Sequence, residues 1–198
     1  MDLTGILTRS QNPSNMKYIA LILLVWMSTF QAGQDLYACK NARISLFSSA
    51  PIEDIAATST SGTSVLNVAT GHVEFSLNIS SFKFKKSLMQ EHFNSDYLES
   101  DKYPKAIFKG KIQEPINVEQ NGTYPVTAVG ELDVHGIRQN RTLQGKITVN
   151  NGAVNLAAEF MVKCADHDIK IPSIVFHNIA ESIKINVNAT YTPVPQLK

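Results

Sequence analysis

The sequence is poor in the groups that most often carry covalent or metal chemistry. Its 198 residues include 2 cysteines, 5 histidines and 1 tryptophan. The histidines show no HxH or HExxH spacing, which removes the usual zinc patterns. No G-x-S-x-G is present and neither cysteine has an evident base beside it, so nucleophilic catalysis finds no signature. A phosphate-cradling loop is missing as well. Charge of one sign is not in surplus, with 18 Lys+Arg against 17 Asp+Glu and a net charge of +1. Bulk attraction to nucleic acid or to an anionic membrane is therefore not expected, and no basic stripe carries interleaved aromatics. Long apolar runs are also lacking, with one exception.

That exception runs from Tyr18 to Phe30, after Met16-Lys17 and before the small pair Ala32-Gly33. It is shorter than the roughly 20 residues a membrane-spanning helix needs, and it has the layout of a secretory signal. The expected organisation is a signal peptide over 1–33, with its start at Met1 or Met16, and one domain over 34–198. No stable membrane insertion is expected once the signal is removed. Export would place Cys39 and Cys164 where a disulfide can form, although both also suit unrelated strand positions. "LYAC" at 36–39 resembles a lipoprotein box, but Gln34 and Asp35 separate it from the apolar run, which argues against lipidation.

What the sequence has in quantity is alternation. Val73, Phe75, Leu77 and Ile79 alternate with polar residues, as do Ala106, Phe108, Gly110 and Ile112 against Lys105, Lys109 and Lys111. The pattern continues through Tyr124–Val134, Leu143–Val149, Val154–Val162 and Ile183–Tyr191. Period-two patterning predicts half-buried strands. Weaker strands are expected over Ala42–Phe47, Ile52–Thr58 and Ser64–Ala69. "ATG" at 69–71, "NNG" at 150–152 and the longer "HGIRQN" at 135–140 read as connections. At Ser80-Ser81 the apolar parity switches to Phe82 and Phe84, which predicts a β-bulge. One wet face, one dry face and successive hairpins fit a sandwich or a closed barrel. Small inward residues (Ala106, Gly110, Ala128, Gly130, Gly145, Ala158 and Ala189) favour a barrel of about eight strands, because they leave room inside.

One segment breaks the alternation. Ser87 with Gln90 reads as a capping box, and Leu88, Met89, His92 and Phe93 share one helical face, with Tyr97 a turn later. Pro104 stops the helix and returns the chain to the sheet. "ADHDIK" at 165–170 brings Asp166, His167 and Asp168 together. Neighbours on an extended strand face opposite ways, so a solvated turn is expected there rather than a metal site.

"SLFSSAPIEDIAA", "MQEHFNSDYLESDKYPKAIFKGKI", "GELDVHG" and "IKIPSIV" occur in that order. They resemble the YceI-like family of exported bacterial proteins, also called polyisoprenoid-binding proteins, from about Tyr37 to Pro193. Cys164 and "FHNI" at 176–179 depart from the family's usual pattern. The resemblance implies an all-β fold, a lipocalin-like antiparallel up-and-down β-barrel with a short helix inserted between strands. It also implies an apolar interior that holds a long isoprenoid or similar amphiphile.

The family supplies no catalytic motif, so the ligand-binding candidates come from inward parity. They are Phe75, Leu77, Phe82, Phe84, Leu88, Met89, Phe93, Tyr97, Phe108, Val126 and Phe160. On the residues alone this cluster reads as an ordinary core rather than a ligand tunnel; the resemblance reverses that preference. Tyr97, Tyr103 and His92 are the candidates to bond a polar head. No catalytic or metal residue and no cofactor are expected, apart from an isoprenoid lipid or quinone as ligand. The expected partner is such a long-chain lipid, not nucleic acid, with a homodimer left open. The expected location is periplasmic or secreted, in a bacterium. The competing readings are an envelope stress or structural protein with a filled core, and an enzyme using the same pocket.

Overall fold

The computed structural model describes residues 35–49, 54–171 and 181–195. The segment read as a signal peptide and "FHNI" at 176–179 lie outside the described residues. Nine strands form one antiparallel sheet: β1 (Leu36–Ser48), β2 (Ile55–Asn67), β3 (His72–Asn78), β4 (Lys83–Phe84), β5 (Lys105–Ile112), β6 (Gly122–Val134), β7 (Ile137–Asn150), β8 (Ala153–Lys163) and β9 (Ser182–Pro193). Their order is β1-β9-β8-β7-β6-β5-β3-β2, and the β1–β2 pairing closes the ring. Eight strands thus make a closed barrel, while the short β4 pairs with Ala57 and Thr58 of β2 beside it. Closure gives every long strand a neighbour on both sides over at least part of its length.

Two tight turns fix the register of the back half. His135-Gly136 and Asn151-Gly152 have φ values of 56° and 74°, and of 49° and 80°. Paired left-handed residues make the two-residue turns whose twist matches that of the flanking strands. "HGIRQN" is therefore a two-residue turn followed at once by β7, which pairs from Val134–Ile137 onward. It is not the longer connection its polarity suggested. The two weak strands expected around Thr58 and Ser64 are likewise one continuous β2 within its described span. The alternation breaks there because the β1–β2 ladder slips between Cys39 and Ala42 and again between Ala42 and Ile44.

The parity switch near Ser80 is real, but its cause is not a bulge. A 3-10 turn over Ile79–Ser81 lifts the chain away from β5, and Phe82 is buried on leaving it. Helix α1 (Ser87–His92) starts after Lys86 with no side-chain cap. The expected capping box does not form. Gln90 turns back instead, and its Oε1 accepts the Phe84 N–H at 3.4 Å. A wider, π-helical turn over Phe93–Tyr97 follows.

The interior is packed at one end. Tyr191, Leu66 and Val154 are each 0% exposed there, with Ile147, Val149 and Ala189 beside them. Two of the small inward residues serve the ladder rather than the interior. Gly110 and Gly130 face each other across β5–β6, and a Cβ on Gly130 would lie 2.2 Å from the Lys109 carbonyl oxygen. Cys39 and Cys164 are both buried and unpaired.

Candidate functional site

Toward the other end the barrel contains a cavity of about 200 Å³. Seven of the sequence-derived candidates line it: Phe75, Leu77, Phe82, Phe93, Phe108, Val126 and Phe160. The small residues Ala106, Ala128, Gly145 and Ala158 also reach it, together with Ile183, Ile185 and Val187 of β9. Period-two alternation on β3 and on β5 to β9 brings these residues to one axis. Phe93 is positioned by aromatic contacts, its ring centroid 5.6 Å from Phe82 and 4.9 Å from Phe84. Phe93 and Leu98 are how the helical insert reaches the interior.

Four candidates do not line the cavity. Leu88 is 61% exposed and points away from the barrel. The helix is only six residues long, and Phe93 sets its rotation, so the apolar face expected from spacing is too wide. Met89 and Tyr97 are half-buried outside the lining, and Phe84 supports Phe93 from behind. The head-group candidates have other duties. His92 pairs with Asp96 on the outer side at 2.8 Å. Tyr103 packs edge-on against His135 at 4.5 Å and fills the space beneath Gly136. Tyr97 has its hydroxyl pKa raised, first by burial and then by Asp96.

The wall is not closed all the way round. The β7–β8 ladder runs from Asn150–Ala153 to Gly145–Ala158 and stops. Beyond it β7 stays with β6 up to the His135-Gly136 turn, while β8 stays with β9 up to Lys163–Ser182. A lateral gap results, bordered by the cavity residues Leu143, Phe160 and Val162. A 3-10 turn over Cys164–His167 bridges its far end. Gln139 Nε2 donates to the Asp166 carbonyl at 2.8 Å, and an Arg141 terminal nitrogen donates to Asp166 Oδ2 at 2.9 Å. His167 Nδ1 lies 3.0 Å from the Ile137 carbonyl, and His135 Nδ1 lies 3.0 Å from the His167 carbonyl.

This bridge corrects two expectations. "ADHDIK" is a turn with Ala165, Asp168 and Lys170 exposed, but His167 is 0% exposed, so the turn is solvated on one side only. Polar side chains also occur on the inward face, since Gln139 and Arg141 share the parity of Leu143. The signal was available: Leu143, carried back by twos, reaches both. They were missed because the stretch was read as a loop. The bridge does not assemble a nucleophile. Burial pushes the Cys164 thiol up, away from the reactive thiolate, and none of the hydrogen bonds described at the bridge joins it to His167. Among the described residues no group of His, Cys, Asp and Glu is arranged to hold a metal ion.

Comparison with known proteins now adds to this geometry. The YceI-like domain matches residues 44–191, which is most of the chain. The chain belongs to the YceI-like family. The YceI-like barrel is similar to several solved structures, three of which follow. A polyisoprenoid binding domain from Saccharophagus degradans, implicated in plant cell wall breakdown, superposes with a TM-score of 0.68 at 12% identity, covering 80% of this chain and 98% of that one. BcnA of Burkholderia cenocepacia gives 0.65 at 14% identity, covering 76% and 96%. A Campylobacter jejuni YCEI protein gives 0.57 at 15%, covering 73% and 88%. At these identities the likeness establishes the fold of the YceI-like chain and not its ligand. No curated protein sequence matches it.

Proposed function

We propose that this protein is exported by its N-terminal signal and binds an isoprenoid or isoprenoid-quinone-like lipid inside the barrel, to carry, store or protect it. One observation carries the reading: a cavity walled by hydrocarbon side chains, set against a lateral gap in the sheet. The polyisoprenoid binding domain among the solved relatives supports the choice of ligand. A wall of Phe, Leu, Ile, Val and Ala suits a tail without directional polar groups. The volume limits the fit. An apolar cavity of about 150 Å³ takes up benzene, so about 200 Å³ accommodates one or two five-carbon units. At roughly 0.8 kcal/mol per buried CH₂, that portion alone does not reach micromolar affinity after ordering costs. The remainder of a long tail therefore occupies the gap between β7 and β8, against Leu143, Phe160 and Val162.

Native mass spectrometry of protein purified without detergent, followed by solvent extraction, tests this reading. A co-purifying lipid supports it. Protein that carries none and refuses added isoprenoid indicates a filled core instead. Phe108→Asp puts a carboxylate in the cavity wall and should abolish lipid retention. Lys109→Asp on the outer face, where the lysine pairs with Glu74 at 3.1 Å, should leave retention intact. Equal retention in the two folded variants would overturn the inward assignment.

A further inference from the structure

A tail held inside the barrel must first get there, and its route is an inference that rests on the tail-binding reading above. The packed end offers no way in, since Tyr191, Leu66 and Val154 are each 0% exposed there. At the cavity end the helical insert stands in the path. Phe93 packs against both Phe82 and Phe84, and Leu98 is buried beside the cavity. The insert is also tied down, because Glu99 pairs with His135 at 2.9 Å and Tyr103 packs on the same histidine. Lifting it would bring Phe82, Phe93 and Leu98 into water and break that pair.

The wall remains. On β7, Val149 and Ile147 are buried, whereas Leu143, two inward positions beyond Ile147, is only half-buried. On β8, Val154 and Leu156 are buried and Phe160 is half-buried. Inward side chains thus regain exposure where the two strands part. Val162 is buried again, next to the Cys164–His167 turn that bridges the far end. The backbone agrees. Hydrogen-bonded pairs alternate along an antiparallel ladder, and the pair closing a two-residue turn is one of them. Counted from Asn150–Ala153, the N–H and C=O groups of Thr142 and Asn140 on β7, and of Met161 and Lys163 on β8, point into the gap. Among the described residues no backbone hydrogen bond crosses to them. Unpaired backbone groups persist where water reaches them, so the gap is open on its outer side. Apolar cavity and solvent therefore meet at Leu143 and Phe160.

We propose that this gap is the portal: the lipid enters and leaves the barrel sideways between β7 and β8, while the insert stays shut. Widening the slit breaks no ladder, because β7 remains paired with β6 and β8 with β9 along its length. A side entrance also suits a long tail, which slides in along its length and need not thread through an end.

The test closes the gap reversibly. Extending the β7–β8 register sets Thr142 opposite Met161, both exposed on the outer face. Thr142→Cys with Met161→Cys is joined by a short bis-maleimide whose spacer contains a cleavable disulfide. The native cysteines are buried, and wild-type protein given the same reagent controls for them. The probe is phytane, a headless isoprenoid hydrocarbon, delivered from cyclodextrin and quantified by gas chromatography on protein recovered from a desalting column. Protein linked while empty should lose uptake over the period in which unlinked protein fills. Protein loaded first and linked afterwards should lose release to excess cyclodextrin, and cutting the linker should restore both. Thr123→Cys with Thr148→Cys, where the two hydroxyls lie 3.0 Å apart on the paired β6–β7 ladder, should change neither rate when linked. Glu99→Ala, which unties the insert, should change neither as well. If the double variant fails to fold or to link, Met161→Cys alone, carrying a bulky maleimide on a side chain that is 50% exposed, should slow both directions. Unchanged rates in fully linked or labelled protein overturn the proposal. Faster release from linked protein also overturns it, since the gap would then be a groove that only holds the tail. Faster exchange in Glu99→Ala does the same by making the insert the door. If unlinked wild type takes up no phytane, the tail-binding reading fails first and this one falls with it.

Discussion

At the packed end of the barrel, Tyr191 shows how one residue ties three strands together. Ser64 Oγ is 2.8 Å from the Glu74 carbonyl and 2.7 Å from the Tyr191 hydroxyl. The serine proton goes to the carbonyl, so the tyrosine donates to the serine. The Tyr191 ring meets Phe75 edge-on at 6.5 Å and so adjoins the cavity lining. Burial pushes the phenol pKa well above its ordinary value, with the Ser64 bond opposing in part. The sign of the consequence follows from linkage. A group whose folded pKa is raised contributes its full stabilisation below the unfolded pKa, about 10 for tyrosine, and loses it progressively above that value. Urea unfolding of the wild type should therefore show stability falling above about pH 10. Tyr191→Phe should flatten that fall and cost about 1 kcal/mol near neutrality. An unchanged alkaline slope in the variant would show that this phenol is not responsible.

Among the elements, β5 and β6 place Gly110 opposite Gly130 in their ladder. A methyl group on Gly130 would lie 2.2 Å from the Lys109 oxygen and 2.4 Å from the Gly110 Cα, both backbone atoms. Neither can rotate away, so Gly130→Ala should destabilise the barrel by about 1–3 kcal/mol, the usual range for overpacking. Thermal melting checks it; an unshifted midpoint would mean that these strands can separate freely. This pair also shows how far sequence patterning reaches. Alternation marked Gly110 and Gly130 as inward, but parity cannot separate a position that is small to make room from one that is small because two backbones nearly touch. Strands with unbroken alternation, β3, β5, β6, β8 and β9, were legible for the same physical reason that makes them half-buried. β2 was not, because the ladder slips opposite β1 and its buried positions include Ser59 and Ser64, which bond to Ser61, Ser81 and Tyr191. The apolar part of the candidate site was legible for the same reason, since Phe75, Leu77, Phe108, Val126 and Phe160 all follow strand parity. Leu88 misled because helical spacing gives the width of an apolar face but not the rotation of a short helix. Gln139 and Arg141 misled in the opposite way: polar residues next to a turn look like a loop, and only the observed register places them inside.

Across the whole molecule, one end of the barrel interior is packed and the other holds the cavity. The strands pair in a ring, and Tyr37 and Tyr191 belong to its buried core but not to the cavity lining. The cavity lies where β7 follows β6 and β8 follows β9, an arrangement in which the gap can widen without breaking either neighbouring ladder. Filling the cavity should then act on stability and binding in opposite directions. Ala128 suits this test because it lines the cavity from β6 and its backbone is paired with both Ile112 and Leu143. Ala128→Leu adds three carbons to an apolar void, which should hold or raise the melting temperature, since occupied void is favourable at roughly 24 cal/mol per Å³. The same side chain removes the space for about half of a five-carbon unit, so isoprenoid uptake should fall roughly thirtyfold at about 0.8 kcal/mol per displaced CH₂. A leucine variant that melts lower would show that the void is smaller than its walls imply. One that melts as well as wild type and still takes up the lipid fully would place the tail somewhere other than the barrel axis.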